Sequence, residues 1–375
     1  MSAESRRVLQ LCHSYGAPFT DVACQWARLF AGQGWTMTTV YLTGEPDSEV
    51  VRNSGGDEVL FLGFDSRQVR GLKLAAIWKL RKLQQTHAFS LAIAHRFKPI
   101  YACCLALDIP VIGVHHAFGD YQRLGRRLLA GAFAKRLALL GVSNAVRDDI
   151  RACLPRWPAG RIQTQYNHVE LAALQARQLA RNEARRALDL PPDAYVFGNV
   201  GRLHPDKDQA TLIRAFARLP PAGALLAIAG RGRLDESLQA LAAELGVADR
   251  VRFLGQVPAM DRYFRAFDSF VLSSDHEPFG MVLLEAMAAG IAVLSTDCGG
   301  AREVVAASEW RFALGDVESL CKCMLAVRAL HEPARTELVA AQLAHLEAHF
   351  SLAAARRQFW AQPCLHSGSE CHAGV

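Results

Sequence analysis

The chain has 375 residues and a formal net charge of +6, and its 51% of hydrophobic and 21% of charged residues argue against a disordered or fibrous protein. This length exceeds the roughly 100 to 200 residues of a typical domain, so we expect two domains. No apolar run reaches the roughly 18 residues that span a bilayer and no secretory signal opens the sequence, so a cytoplasmic protein is predicted.

Short apolar runs alternate with helical patterns through the first half of the chain. The predicted strands are residues 8–11, 37–42, 59–62, 91–94, 111–114, 137–142 and 162–166. This alternation is typical of a parallel sheet wrapped by helices. It stops at residues 170–190, an Ala- and Arg-rich helical stretch before Pro191 and Pro192, which we interpret as the linker between two domains.

A second series of strands is predicted after this linker, at residues 195–200, 225–229, 251–254, 269–272 and 292–295. We therefore predict an α/β fold of two facing, doubly wound, Rossmann-like domains, residues 1–170 and 171–350. A terminal helix to about Trp360 and a flexible tail are expected within residues 351–375. Ligands of open parallel sheets bind beyond the carboxyl ends of the strands, so the site is expected there, in a cleft between the domains.

Basic residues are concentrated in the first half of the chain. Residues 1–170 hold 21 Lys and Arg against 13 Asp and Glu, which leaves 21 against 23 for the remainder, and residues 66–107 contain eight basic residues and no acidic one. Such stretches attract phosphates of nucleic acid, lipid headgroups or a phosphorylated glycan, or they are solvated helix faces. Nucleic acid is disfavoured because the charges do not follow the interleaved aromatic pattern used for base stacking.

The stretch from Ser273 to Val304 predicts a strand, a loop and a helix. The loop contains Pro278 and Gly280, and the helix leaves its first backbone N–H groups unpaired at the end of the strand. A helix start carries roughly half a positive charge and suits a diphosphate. The backbone groups expected to bind it belong to Phe279, Gly280, Met281 and Val282.

Two glutamates flank this helix start. Glu277 lies in the loop and Glu285 lies eight positions later, so both can address one ligand. A carboxylate that accepts two hydrogen bonds suits a ribose diol, which is the role expected for Glu285.

A second group of candidate residues follows the strand at 195–200. Gly201 lets the backbone approach a ligand, and the fixed cations Arg202 and Lys207 would neutralise a leaving diphosphate. The same loop contains the literal pair Asp206-x-Asp208. We do not expect this pair to bind a metal ion, because Lys207 lies between the two carboxylates.

Residues 277–303, with Glu277 and Glu285 at the Glu-x7-Glu spacing, resemble the most diagnostic segment of retaining glycosyltransferases of family four, which have the GT-B fold. The resemblance spans nearly the whole chain and is strongest from Gly198 to Val305. It implies that Arg202 and Lys207 contact the diphosphate of a nucleotide-sugar donor.

The resemblance also assigns residues outside that segment. Gly230 begins a Gly-x-Gly turn beside the nucleotide, and residues 253–257 resemble the segment whose backbone reads the base. Gly16 lies in a loop near the donor phosphate, and His116 ends a strand near the transferred sugar. The chain departs from the family pattern by keeping one glycine of a pair at Gly16, and by having Asp208 where many relatives have glycine.

The function implied is that of a metal-independent hexosyltransferase without a cofactor, which moves a sugar from a nucleotide-diphosphate sugar, UDP-sugar being favoured, with retention of anomeric configuration. The expected acceptor is a glycan or lipid-linked glycan of bacterial cell-surface polysaccharide or lipopolysaccharide core. The basic first domain is expected to bind the anionic inner face of the inner membrane peripherally. A nucleotide-sugar epimerase of the same fold and a non-catalytic nucleotide-sugar binding module are the alternatives.

Overall fold

The structure, a computed structural model, describes residues 6–16, 19–65, 67–69, 71–221 and 223–366. Residues 367–375 of the predicted flexible tail lie outside the described residues. The chain divides into two compact units, one with residues up to Asn167 and from Leu352 onward, the other being His168–Ser351.

The first unit contains a seven-stranded parallel sheet in the order β3-β2-β1-β4-β5-β6-β7. Its strands are β1 Arg6–Cys12, β2 Trp35–Thr43, β3 Glu58–Phe64, β4 Leu91–His95, β5 Val111–His115, β6 Leu137–Gly141 and β7 Ile162–Thr164. The three strands β4, β5 and β6 are buried along their whole length. Strands buried on both faces read as continuous apolar runs, which is why these three could be predicted. The predicted strands of this unit are all confirmed.

Six α-helices connect these strands in the described part of the chain. They are α1 Phe19–Phe30, α2 Ser48–Asn53, α3 Leu74–His87, α4 Phe97–Ala106, α5 Leu124–Ala132 and α6 Asn144–Cys153. Because each helix follows a strand, each begins at the carboxyl edge of the sheet, the edge at which ligands bind in such folds.

The second unit contains a six-stranded parallel sheet in the order β10-β9-β8-β11-β12-β13. Its strands are β8 Tyr195–Val200, β9 Ala224–Ala229, β10 Val251–Gly255, β11 Ser269–Leu272, β12 Ala292–Thr296 and β13 Arg311–Phe312. Five of these were predicted; β13 was missed because two residues carry no apolar run.

The helices of the second unit begin with a pair in the stretch interpreted as a linker, which is helical but broken at residues 178–180. The full set is α7 Leu171–Arg177, α8 Arg181–Ala187, α9 Gln209–Ala217, α10 Asp235–Glu244, α11 Met281–Ala288, α12 Ala301–Val304, α13 Val317–Ala329 and α14 Glu332–Phe350.

The chain then returns to the first unit through α15 Leu352–Trp360 and α16 Pro363–His366. Phe359 packs edge to face on Trp26 and Phe30 of α1, at ring-centroid distances of 5.5 and 5.2 Å. Such aromatic pairs bury large apolar areas, so the terminal helix forms part of the first unit. None of the helices in the described part of the chain has both the length and the apolar composition that crossing a bilayer requires.

Candidate donor site

Lys207 and Glu277 form an ion pair at the carboxyl edge of the second sheet. Lys207 Nζ lies 2.7 Å from Glu277 Oε2, and both side chains are largely buried. Lys207 ends a short 3₁₀ turn, Pro205–Lys207, after β8, and Glu277 lies in the loop after β11. Because β8 and β11 are neighbours in the sheet, the two loops meet. The fold thus brings together two residues that the sequence analysis assigned to one donor site.

Hydrogen bonds between the two loops hold this pair in place. The Ser273 hydroxyl donates to the Lys207 carbonyl at 2.8 Å, and the Asp275 N–H donates to the Asp206 carbonyl at 3.0 Å. The Lys207 ammonium has three N–H donors, and its contact with Glu277 uses one of them. The remaining donors can address a second anion without breaking the ion pair.

The Asp206-x-Asp208 pair has structural roles. Asp206 contacts His204 Nδ1 and lies 3.5 Å from Arg202 Nη2. Asp208 Oδ1 accepts a hydrogen bond from the Thr211 N–H at 3.3 Å and caps helix α9. Its φ of +42° is a left-handed conformation that glycine adopts readily and aspartate tolerates better than most residues. This explains how an aspartate fits where the family pattern has glycine.

The loop at Gly201 lies against the turn that follows β9. A Cβ atom on Gly230 would overlap the Gly201 carbonyl oxygen, and Gly230 has φ +139°, which residues with a side chain rarely adopt. The Gly230 N–H donates to the Gly255 carbonyl at 2.7 Å. Glycine therefore lets the ends of β8, β9 and β10 converge. The Arg202 side chain is 73% exposed at this edge, so its guanidinium is accessible to a ligand.

Helix α11 begins at the same edge, and among the described residues its N-cap, Gly280, provides no side-chain cap. Gly280 precedes it with φ +100°, again a conformation that favours glycine. Phe279 is buried and packs edge to face on Phe350 at 5.6 Å, so only its backbone is able to contact a ligand. Met281 and Val282 are half-buried in the first turn. The first turn of the helix thus lies at the sheet edge without a side-chain cap from its N-cap residue, which is the arrangement that suits a diphosphate.

Glu285 is half-buried in the second turn of α11. The loop before this helix rests on Gly300, whose N–H donates to the Glu277 carbonyl at 2.8 Å. A Cβ atom on Gly300 would overlap the Pro278 carbonyl oxygen. Gly300 therefore supports the position of Glu277, a role that the sequence analysis did not assign to it.

Two predicted residues, Gly16 and His116, lie in the first unit. His116 Nε2 lies 3.1 Å from His95 Nδ1, so one ring donates a hydrogen bond to the other. Burial, together with the charges of His115 and Arg96, lowers the pKa of His116 to about 3, and burial also lowers the pKa of His95. Both rings are therefore neutral at neutral pH.

His95 was missed by the sequence analysis, although a signal exists. It ends β4 as His115 ends β5, and the two strands are neighbours in the sheet. Gly16, in contrast, is exposed, and a Cβ atom there would have open space around it. Nothing in the described residues requires glycine at that position.

Two family models match the chain and together cover most of it. The model described as Glycosyltransferase Family 4 matches residues 21–173. The model described as Glycosyl transferases group 1 matches residues 180–326.

Curated relatives match over shorter stretches. The lipopolysaccharide core biosynthesis glycosyltransferase LpsE of Rhizobium meliloti is 45% identical over 116 residues, 31% of this chain and 34% of that protein. The D-inositol 3-phosphate glycosyltransferase of Thermomonospora curvata is 36% identical over 173 residues, 43% of this chain and 40% of that protein. The chain therefore matches between a third and two fifths of the length of these relatives.

Solved structures resemble the chain over nearly its whole length. A glycosyltransferase from Rickettsia africae has a TM-score of 0.84 at 14% identity, covering 96% of this chain and 97% of that one. Anabaena Alr3699/HepE in complex with UDP and glucose has a TM-score of 0.76 at 19% identity, covering 97% and 99%. The lipopolysaccharide outer core galactosyltransferase WaaB has a TM-score of 0.72 at 17% identity, covering 96% and 99%. At these identities the likeness establishes the fold alone.

Proposed function

The chain belongs to glycosyltransferase family four and has the GT-B fold, and we propose that it transfers a sugar from a nucleotide-diphosphate sugar to a glycan or lipid-linked acceptor. The observation that carries this proposal is the Lys207–Glu277 ion pair, 2.7 Å long, beside the uncapped start of α11. A lysine, the exposed Arg202 and helix amides at one sheet edge are the groups that bind a diphosphate.

In the proposed donor complex, the diphosphate binds the N–H groups at the start of α11 and the cations Arg202 and Lys207. These groups act where negative charge develops as the bond to the sugar breaks. Glu285 accepts hydrogen bonds from the ribose hydroxyls, and Glu277, oriented by Lys207, accepts one from the sugar. Because fixed cations neutralise the leaving diphosphate, the proposed reaction needs no metal ion and no cofactor.

We propose front-face attack, which retains the anomeric configuration. A double displacement would need a carboxylate that is free to act as the nucleophile, whereas Glu277 is paired with Lys207. In the front-face reaction, the acceptor oxygen bonds to the anomeric carbon as the diphosphate leaves on the same side. The departing phosphate oxygen takes the acceptor proton. His116 is proposed to orient the sugar through the ring nitrogen that His95 does not use.

The proposed donor is a UDP-sugar, and the proposed acceptor belongs to lipopolysaccharide core or a related surface glycan. The Alr3699/HepE structures contain UDP and UDP-glucose, which supports the first part. The proposed lipopolysaccharide-core acceptor is supported by the names of LpsE and WaaB.

Exposed apolar side chains in the first unit support an acceptor at a membrane surface. Leu74 and Trp78 on α3 are 68% and 56% exposed, and Leu124 and Leu128 on α5 are 62% and 65% exposed. Each pair is spaced four residues apart and so lies on one helix face. Basic residues accompany them: Lys79, Arg81, Lys82, Arg123 and Arg127. Apolar side chains that enter the headgroup region and cations that bind anionic lipid are the features of peripheral association, proposed here for the cytoplasmic face of the inner membrane.

The test is release of nucleoside diphosphate from a panel of sugar nucleotides, with and without a lipopolysaccharide-core acceptor. We expect acceptor-dependent release that falls at least about a hundredfold in Lys207→Ala, since such charge stabilisation is commonly worth that much. Glu285→Ala is expected to raise the KM for the donor. Lys322→Ala, which removes a surface lysine of the same unit, is the matched control.

The alternatives predict other results. An epimerase would interconvert the donor sugar in the absence of acceptor, and a binding module would bind the nucleotide without turnover. Full turnover by both Lys207→Ala and Glu285→Ala would contradict the assigned donor site.

A further inference from the structure

A second group of charged residues lies at the carboxyl edge of the first sheet. Strands β1 and β4 pair in parallel with Leu11 opposite Ala94, so His13 and Arg96, each two residues farther on, leave the sheet side by side. The His13 carbonyl accepts hydrogen bonds from the Thr43 N–H at 3.0 Å and hydroxyl at 2.9 Å, which fix the backbone. The His13 Nδ1 atom is buried and has no hydrogen-bond partner among the described residues. A buried ring nitrogen of this kind calls for a ligand atom.

Three cations lie near enough to His13 to act on it electrostatically. Lys73 Nζ, at the start of α3, lies 4.3 Å from the centroid of the Tyr101 ring on α4. Arg96 precedes α4, and its guanidinium lies 4.6 Å from the centroid of the Phe19 ring. Lys98 lies in the first turn of the same helix, and Arg96 and Lys98 are both exposed. Lys73 at the start of α3 thus contacts α4, the helix that follows Arg96 and contains Lys98.

These cations act on each other and on His13. Burial and then the charges of Lys98, Arg96 and Lys73 lower the pKa of His13, and burial and Lys98 lower the pKa of Lys73. None of the three cations forms an ion pair with a carboxylate of a described residue. Like charges gathered without a counter-ion repel, and a bound anion would relieve that repulsion.

The backbone of Arg96 is held in a strained conformation at the end of β4. Its φ of 72° and ψ of 165° lie in a region that is essentially restricted to glycine. The Arg96 N–H nevertheless donates to the Val114 carbonyl at 2.8 Å, which holds the residue at the strand end. In the part of the chain that the structure describes, the N-cap residue Arg96 makes no side-chain cap at the start of α4. Strain of this kind persists mainly at functional sites.

We propose that His13, Lys73, Arg96 and Lys98, here called the basic cluster, bind a phosphate group carried by the acceptor. The assignment of that phosphate to the acceptor rests on the proposed transferase function, whereas phosphate binding by the basic cluster does not. A phosphate carries up to two charges and several acceptor oxygens, so it matches three cations and a ring N–H better than a neutral sugar hydroxyl does. The substrate class is thereby narrowed to phosphorylated glycans or lipids.

The experiment measures binding of inorganic phosphate to the full chain by calorimetry, in a Lys207→Ala background and with UDP present, so that the donor site does not contribute. The variant is Lys73→Ala/Lys98→Ala. The matched control, Arg52→Ala/Lys135→Ala, removes two exposed cations from the same unit. Loss of two charge-assisted contacts should weaken phosphate binding at least about tenfold, while the control binds as the parent does. Equal binding by all three proteins would overturn the proposal.

A nuclear magnetic resonance titration of His13 provides a second readout. Phosphate should raise the pKa of the His13 imidazole in the parent and leave it unchanged in Lys73→Ala/Lys98→Ala. A pKa that does not respond to phosphate in the parent would also overturn the proposal. Binding of UDP by the Lys73→Ala/Lys98→Ala variant, measured separately, reports on the donor site, so failure of the proposed function and failure of the basic cluster give different results.

Two further arms identify the source of the phosphate. One compares glucose 6-phosphate with glucose, and the other compares phosphatidylcholine vesicles with and without phosphatidic acid. Binding in either arm that is lost in Lys73→Ala/Lys98→Ala supports the basic cluster and identifies the source of the phosphate. Binding in both arms that is the same in the variant and the parent counts against it.

Discussion

Lys207 Nζ lies 2.7 Å from Glu277 Oε2, although 70 positions separate the two residues in the chain. Their side chains are only 19% and 12% exposed. A buried charge lowers the stability of the fold when it loses its partner. The contribution of each residue to stability therefore depends on the other. The pair links the loops after β8 and β11, and these loops carry the residues that we assign to the donor.

The first prediction is that this pair is energetically coupled. Lys207→Met and Glu277→Gln should each lower the free energy of unfolding by about 1 to 3 kcal/mol, because each leaves a buried polar group without its partner. The double variant should be more stable than the sum of the two losses implies, by about 1 kcal/mol or more. Urea denaturation of the four proteins measures this, and purely additive losses would show that the residues are independent.

Gly230→Ala should destabilise the second unit by at least about 2 kcal/mol, because the new Cβ overlaps the Gly201 carbonyl at a φ that alanine avoids. Gly16→Ala is the control, since open space surrounds that position. It should change the free energy of unfolding by less than about 0.5 kcal/mol. Thermal and urea unfolding compare the two, and a stable Gly230→Ala would mean that the turn can move away from Gly201.

Arg96→Gly and Arg96→Ala separate backbone strain from charge. Both remove the guanidinium, so both should weaken phosphate binding equally. Only glycine relieves the strained φ of 72°, so Arg96→Gly should be more stable than Arg96→Ala by about 1 to 2 kcal/mol. Urea denaturation with parallel phosphate titrations tests both points, and equal stability of the two variants would remove the argument from strain.

The stability of the first unit should depend on pH through His116. Its folded-state pKa is about 3, below the ordinary value of 6.5, so the unfolded chain binds a proton that the folded chain does not. The contribution is complete above pH 6.5 and is lost as the pH falls towards 3. Between pH 7 and pH 5 the wild type should therefore lose about 2 kcal/mol more than His116→Gln. Urea denaturation at both pH values measures this, and parallel losses would contradict the lowered pKa.

The exposed apolar residues of α3 and α5 should govern membrane binding. Trp78→Ser/Leu128→Ser is expected to reduce co-sedimentation with anionic vesicles several-fold, because less apolar surface enters the headgroup region. Leu314→Ser/Leu325→Ser, which removes two exposed leucines from the second unit, serves as the control. Transfer to a water-soluble acceptor should be unchanged in both. Binding that is insensitive to salt, lipid charge and the α3 and α5 substitutions would speak against the membrane proposal.

Local patterns predicted most of the fold and part of the candidate site. Strands such as β5 are runs of neighbouring apolar residues, and a motif such as residues 277–303 is contiguous, so both are visible without a structure. The short edge strand β13 is not, because its two residues gain their conformation from pairing with β12. His95 was missed for a similar reason. Its pairing with His116 depends on β5, the strand that lies beside β4.

By itself, the sequence determined the helices and strands and the residue types that carry chemistry, because these depend on side chains close together along the chain. Only the tertiary structure decided which of them meet. The contact of Lys207 with Glu277, the pairing of His95 with His116 and the position of His13 beside Arg96 all follow from strand order. Strand order is set by how whole layers pack, and packing between distant residues leaves no local pattern in the sequence.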